Sequence, residues 1–326
     1  MTALALTQVT LCCVDSTPRL PWALRALRRS MEQVQFGDAF ICTDRASLGE
    51  HALPEGVRLV EMAPLRSIEA YSEYMIKCLR PHVHTSHVLI VQWDGFVLHP
   101  AAWRDEFLEF DYLGAPWQHF PEPWTVGNGG FSLRSVRLLE ALEAPSIVAS
   151  HPEDICICQT HRAQLEAMGI RFAPRSVARY FSVEDGPLLP EVFGFHSPCH
   201  LPAVLAPDEA MAFIDSLQPS VIEAHYFGSL LRELVQGARS RAELQPALRK
   251  YRQLIHTAID GLNGPSSLSP HALGVCKALI RYGEYAAAGK LLRRRREALG
   301  RRWAEPKLWW RLKAKSLVSS LKRSGS

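Results

Sequence analysis

Short apolar runs alternating with amphipathic segments fill the first hundred residues. QVTLCCVDST (8–17) predicts a strand, and PRLPWALRALRRSMEQV after it an amphipathic helix with proline near its start. DAFICTD (38–44) and VRLVEMA (57–63) predict two more strands. SIEAYSEYMIKCLRPHV sets Ile68, Tyr71, Met75 and Leu79 on one helical stripe. HVLIVQWDGFVL (87–98) is the most apolar run, short and β-branched with polar bounds, as a buried strand should be. This alternation predicts an α/β domain with a mostly parallel sheet, in which ligands collect at the carboxyl ends of the strands. Asp15, Asp44 and Asp94 all fall at such ends. An Asp followed by Gly95 at the tip of a central strand either caps the next turn or holds a cation.

Downstream the pattern loosens. DYLGAPWQHFPEPWTVGNGGFSLRS (111–135) has no clean period and reads as loop, RSVRLLEALEA and PEDICICQTHRAQLEAMG as helices. RFAPRSVARYFSVED and EVFGFH predict further strands at an edge. After about residue 203 the periodicity becomes helical throughout. Within that region residues 268–299 resemble a helix–turn–helix of the tetratricopeptide kind, with Gly283, Tyr285 and Ala288 suitably spaced. A solenoid needs neighbouring repeats, so a single copy is better accounted for as a plain helical hairpin. The last helix, 305–323, sets Trp310, Ala314, Leu317 and Leu321 on one stripe flanked by Lys and Arg. That pattern suits a membrane interface or a docking partner, against a solvated basic tail.

Charge sharpens this division. Residues 293–326 hold twelve Lys or Arg against two Glu, a balance of +10. With a net charge of +4, the remaining chain carries 4 − 10 = −6. A basic segment confined to one stretch speaks of a surface it touches; nucleic acid is not expected as a partner. Composition, 47% hydrophobic and 21% charged, is that of a protein with a real core, and no run is apolar enough to span a membrane. The start of the chain lacks a basic n-region, and eight scattered cysteines without C-x-x-C suit a reducing cytoplasm.

Four features carry candidate chemistry: Asp94, the loop Gly127-Asn128-Gly129-Gly130, the pair Glu153-Asp154, and His196. Singly each has a bland account. The loop is a turn needing positive φ, the acidic pair a favoured first helical turn, and the histidine a satisfied core residue. His82, His84 and His87 lack a nearby carboxylate and read as a surface turn, and Cys156 and Cys158 lack a second cysteine pair for zinc and read as core. No G-x-G-x-x-G, P-loop or G-x-S-x-G appears.

In order, however, QWDG, DYLGAPW, GNGGFSLRS, ED and FGFH over about residues 8–197 resemble the GT-A class of nucleotide-sugar glycosyltransferases, and more narrowly a bacterial family of uncharacterised GT-A-like domains. The resemblance implies a Rossmann-like α/β domain, bounded here as 1–203; the all-helical C-terminal region (204–326) rests on periodicity and lies outside the resemblance. It implies that Asp94 matches the last Asp of the Asp-x-Asp metal motif and that His196 completes the metal site. Asp154 would be the base, with Glu153 beside it. Lys77, Gln92, Trp93, Asp94 and Asp15 would face the donor, and Trp117, Trp124, Asn128, Gly129 and Gly130 the acceptor. A divalent cation, Mg2+ or Mn2+, would neutralise the departing diphosphate, and an imidazole ligand leans the choice toward Mn2+. Gln92 stands where the motif has its first carboxylate, which removes one charge from that metal site.

The expected activity is transfer of a sugar from a nucleotide sugar to a glycan or lipid-linked acceptor, with inversion. The expected setting is the cytoplasm or the inner membrane face, in surface-polysaccharide synthesis. Two other classes compete: a catalytically inactive nucleotide- or sugar-binding module, consistent with Gln92, and a helical interaction scaffold.

Overall fold

The computed structural model describes residues 4–118, 120–262, 270–299, 307–313 and 315–316. The chain divides into two compact units, Met1–Ser197 and Pro198–Ser326. The change of character expected near 203 thus falls after Ser197.

The first unit opens with β1 (Leu4–Val14), α1 (Leu20–Gln33), β2 (Val34–Thr43), the single turn α2 (Arg45–Leu48), β3 (Arg58–Glu61), α3 (Ile68–Lys77) and β4 (His87–Val91). It continues with β5 (Tyr112–Leu113), β6 (Phe131–Ser135), α4 (Val136–Leu142) and α5 (Glu153–Ile155), then α6 (Arg162–Ala167), α7 (Arg175–Phe181), β7 (Ser182–Val183) and β8 (Gly194–Phe195). The main sheet runs β3-β2-β1-β4-β6-β5. β1 to β4 are parallel, and β6 is antiparallel to both of its neighbours.

Alternation along β1 explains why its sequence is apolar throughout. Val9, Leu11 and Cys13 face Leu20, Ala23, Leu24 and Leu27 on or beside α1. Cys12 and Val14 face the opposite way, toward Met75, Leu79 and Leu139. A sheet covered on both faces cannot show a hydrophobic–polar period, so its strands read as continuous apolar runs. Each Leu or Val buried this way is worth about 1.5–3 kcal/mol.

Three sequence expectations differ from the structure. FSLRS, read as loop, is β6, a central strand with all five residues buried. RFAPRSVARYFSVED, read as a strand, contains α7; Phe172 makes a single bridge to Tyr112, and Ser182–Val183 pairs with Gly194–Phe195 in a two-stranded sheet. Pro174 at the helix N-cap and the i, i+3 spacing of buried Ala178 and Phe181 outweigh the strand propensity of Val177 and Tyr180. The helix expected over 152–169 is interrupted by a π turn at Cys156–Thr160, where Cys156 and Cys158 are buried.

The second unit is helical: α8 (Leu201–Val204), α9 (Pro207–Ser216), α10 (Phe227–Ser240), α11 (Gln245–Gly261), α12 (Pro270–Arg281) and α13 (Tyr285–Leu299). Gly283, at φ +86°, turns α12 into α13. Asp260 on α11 pairs with Lys290 and Arg294 on α13. Of the expected tail stripe, Ala314, Leu317 and Leu321 lie outside the described residues, and Trp310 is 70% exposed. No helix among the described residues is long and apolar enough to cross a membrane.

Candidate functional site

The order of the main sheet locates a crevice. From β1 the chain builds outward through β2 to β3, then returns to place β4 on the other side of β1. Loops leaving the carboxyl ends of β1 and β4 therefore diverge, and the gap between them is a natural binding cleft. A cavity of 360 Å³ lies there, lined by Asp15, Arg19, Arg66, Ile68, Tyr71, Gln92 and Trp93 among others. Asp15 accepts from the Thr17 backbone N–H at 2.7 Å, and burial pushes its carboxyl above the usual range. Arg19 stacks on Trp93 at 4.6 Å. The wall offers aromatic and aliphatic surface with cations at the rim.

One residue beyond Trp93 the cleft has a polar floor. Asp94 is buried, and its Oδ1 lies 3.2 Å from His196 Nε2 without making a hydrogen bond. The same nitrogen is 3.2 Å from Gln92 Oε1, and the Gln92 amide donates to the Tyr71 hydroxyl at 2.7 Å. The other ring nitrogen lies 3.1 Å from Asn128 Nδ2. Burial opposes a charge on His196, but Asp94 overrides it, with Glu184 and Asp154 adding, and the imidazole is pushed up to about 9. Asp94 and His196 thus form an ion pair at neutral pH.

The glycine loop is buried, and its glycines serve close packing against protein. Positive φ falls on Asn128, at +57°, and on none of the three glycines. A Cβ on Gly129 would stand 1.9 Å from Glu153 Oε1, one on Gly130 2.2 Å from His196 Nε2, and one on Gly127 1.9 Å from the Trp117 ring. The loop is therefore clamped between the acidic pair and the histidine. Gly129 N–H donates to Asp154 Oδ2 at 3.2 Å, and Ile155 N–H to Oδ1 at 2.8 Å. Glu153 turns inward to Arg134 on β6, Nη2 to Oε1 3.2 Å, both buried. Burial pushes the Glu153 carboxyl up against the pull of Arg134. Glu153 is thus a packing partner of the loop, and Asp154, half-buried, is the member of the pair that solvent reaches.

The structure brings Asp15, Gln92, Trp93, Asp94, Asn128, Gly129, Gly130, Asp154 and His196 to this end of the sheet. Lys77 is elsewhere. The cavity is at the start of α3, where Ser67 and Ile68 line it, and nine residues of helix carry Lys77 about 14 Å away. Its ammonium donates instead to the carbonyls of Leu142, the last residue of α4, and Ala144 just after it. Trp117 is buried in an apolar cluster with Tyr112, Leu138 and Ile157 rather than offered to a ligand, whereas Trp124 is exposed. Asp44 caps α2 through the Ser47 N–H.

Two groups escaped the sequence reading. Arg19 and Arg66 supply the rim cations that Lys77 does not. Glu184 lies beside His196 because β7 pairs in parallel with β8, Val183 against Phe195. It accepts from the Asn128 amide, and burial pushes its carboxyl up. A signal existed: Glu184-Asp185 is a second Glu-Asp pair in the sequence.

Metal-ligating side chains are sparse. Among the described residues no three His, Cys, Asp or Glu cluster as a metal site. Asp94 Oδ1, without a hydrogen bond, and His196 Nε2 are nonetheless spaced as two adjacent ligands of an octahedral ion, which at about 2.1 Å from the metal lie about 3 Å apart. A cation there would displace the Nε2 proton, and with the Gln92 amide oxygen beside them the two groups would then fit an ion that takes its other ligands from phosphate and water.

Residues 56–196 match a family model described as protein of unknown function (DUF5672), a span that contains Gln92 to Asp94, the glycine loop, both Glu-Asp pairs and His196. No curated protein matches the chain. Among solved structures, the mannosyltransferase PcManGT from Pyrobaculum calidifontis, in complex with GDP-Man and Mn2+, aligns over 97% of this chain and 86% of its own at 14% identity and a TM-score of 0.35. Rv0371c from Mycobacterium tuberculosis aligns over 52% of this chain and 86% of its own, at 14% identity and a TM-score of 0.32. At these scores neither likeness bears on what the site does.

Proposed function

We propose that the first unit is a GT-A-like glycosyltransferase that binds a nucleotide sugar in the β1–β4 cleft and transfers the sugar to a hydroxyl of a glycan or lipid-linked acceptor. The observation that carries this reading is the 360 Å³ cavity at the reversal of strand order, with Asp15, Gln92 and Trp93 on its wall and the Asp94–His196 pair beside it. Ile68 and Trp93 give a base and ribose apolar surface, Asp15 and Gln92 accept or donate to ribose hydroxyls, and Arg19 and Arg66 face the diphosphate. Asp94 and His196, with Gln92, would hold Mg2+ or Mn2+, which would neutralise charge on the leaving diphosphate.

Asp154 is the base in this reading. Its carboxylate is fixed by the N–H groups of Gly129 and Ile155, and each oxygen keeps a lone pair for the acceptor hydroxyl. One in-line displacement would invert the anomeric centre. Glu153 and Arg134 keep the loop and Asp154 in register. The basic stretch after residue 293 suits contact with an anionic membrane surface at the cytoplasmic face, where polysaccharide precursors would be met.

A thermal-shift screen of nucleoside diphosphates and nucleotide sugars, with and without Mn2+, tests the reading. A ligand at a hundred times its Kd stabilises by about 2.7 kcal/mol. The expected result is a shift lost in Trp93→Ala and kept in Asp154→Asn, with sugar release or transfer lost in Asp154→Asn. Binding without turnover in the wild type would leave a binding module, and no nucleotide binding would sink the reading.

A further inference from the structure

A second cavity, 170 Å³, lies under the segment joining β7 to β8 and is lined by Gln118, Arg179, Ser182, Glu184, Asp185, Leu189 and neighbouring residues. We propose that it is a binding subsite for one neutral pyranose ring, the acceptor sugar if the unit is a transferase, with Glu184 its specificity-determining residue. The acceptor role rests on the proposed transfer activity; the sugar site does not.

Three observations converge. First, Ser182 is 1% exposed, its hydroxyl has no hydrogen-bond partner, and it lines the cavity. A hydroxyl buried without a partner costs free energy that a ligand hydroxyl would recover. Second, the polar groups are of mixed sign: Arg179 and the Gln118 amide donate, Glu184 and Asp185 accept. A charged ligand would gain from one sign and be opposed by the other, whereas the hydroxyls of a neutral sugar both donate and accept. The remaining wall, Val183, Pro187, Leu189 and Val192, is apolar and suits the C–H face of a sugar ring. Third, Glu184 is tied to the cleft. Asn128 donates to Glu184 and its amide lies 3.1 Å from the His196 ring, and His196 reaches Gln92, which lines the nucleotide cavity. The chain Glu184–Asn128–His196–Gln92 thus joins the two cavities, and Asp154 is near enough to Glu184 to act on its charge.

The experiment is saturation-transfer NMR on the full chain with methyl glucopyranoside and methyl galactopyranoside, beside glucosamine and glucuronate as charged probes. At least one neutral glycoside should bind more tightly than either charged sugar. Glu184→Gln and Ser182→Val should each weaken it about tenfold, the loss of one hydrogen bond in a buried site. Both variants should melt cooperatively as folded proteins, and Ser182→Val should keep the wild-type nucleoside diphosphate affinity, which shows that fold and donor cleft are intact. Absence of binding by every neutral glycoside, a preference for a charged sugar, or affinity unchanged in both folded variants would overturn the proposal. Glycoside binding that falls in the variants, in a protein that binds no nucleotide, would uphold the sugar site while removing the transferase reading.

Discussion

Replacing Glu153 by Gln removes a charge from a place where its partner cannot shed one. Arg134 has a fully buried side chain, donates to Glu153 Oε1 at 3.2 Å and to the Ser132 hydroxyl, and its Nη1 has no hydrogen-bond partner. A guanidinium does not deprotonate in proteins, so Glu153→Gln leaves an uncompensated buried cation, at a cost of about 3–5 kcal/mol. Arg134→Met is different, because a carboxyl can take up a proton. Burial already pushes Glu153 up, and without the arginine its folded pKa would rise further above the unfolded value. The folded state then binds more protons than the unfolded one, so Arg134→Met should cost least below about pH 4 and progressively more as pH rises from there. The double variant, with neither charge, should recover most of the loss. Urea melts at pH 5 and pH 8 read this directly: with an m-value near 3 kcal/mol per M, 3 kcal/mol moves the midpoint by about 1 M at unchanged m. Singles within about 1 kcal/mol of wild type, additive singles, or an Arg134→Met penalty independent of pH would refute the reasoning.

The Asp94–His196 pair predicts a second pH dependence in protein stripped of metal by chelator. The folded histidine, at about 9, lies above its unfolded value, so its contribution of about 3 kcal/mol is complete below pH 6.5 and lost as pH rises through 9. NMR titration of the imidazole checks it, and a wild-type midpoint that Asp94→Asn does not lower would contradict it. Gly130→Ala should drive the His196 ring from its place, costing about 1–3 kcal/mol and weakening nucleotide binding; an alanine variant with unchanged stability and affinity would show that the ring moves freely. Lys77→Met should lower stability by about 1–2 kcal/mol through its lost carbonyl bonds and leave nucleotide affinity unchanged, whereas a severalfold weaker Kd would restore the lysine to the donor site.

What the sequence disclosed and what it concealed follow from where polar groups are buried. β1, β2 and β4 were legible because both of their faces are apolar, and the tips of such strands mark the cleft by a general rule of parallel sheets. β6 was not, because Ser132, Arg134 and Ser135 interrupt its apolar pattern. They are buried for bonds to Gly129, Glu153 and Asp111, partners between 3 and 24 residues away whose proximity no periodicity reveals. The two Glu-Asp pairs make the same point. In sequence Glu153-Asp154 and Glu184-Asp185 are equivalent, and a resemblance singled out the first. In the fold the first glutamate is consumed by Arg134, while the second, set beside His196 by two residues of β pairing, opens onto a cavity lined by Ser182, whose buried hydroxyl is unpartnered. What separates a structural carboxylate from an available one is its partner across space. Arg134 supplies an ionic partner for Glu153, whereas Glu184 is held by the uncharged Asn128 amide on the wall of a cavity.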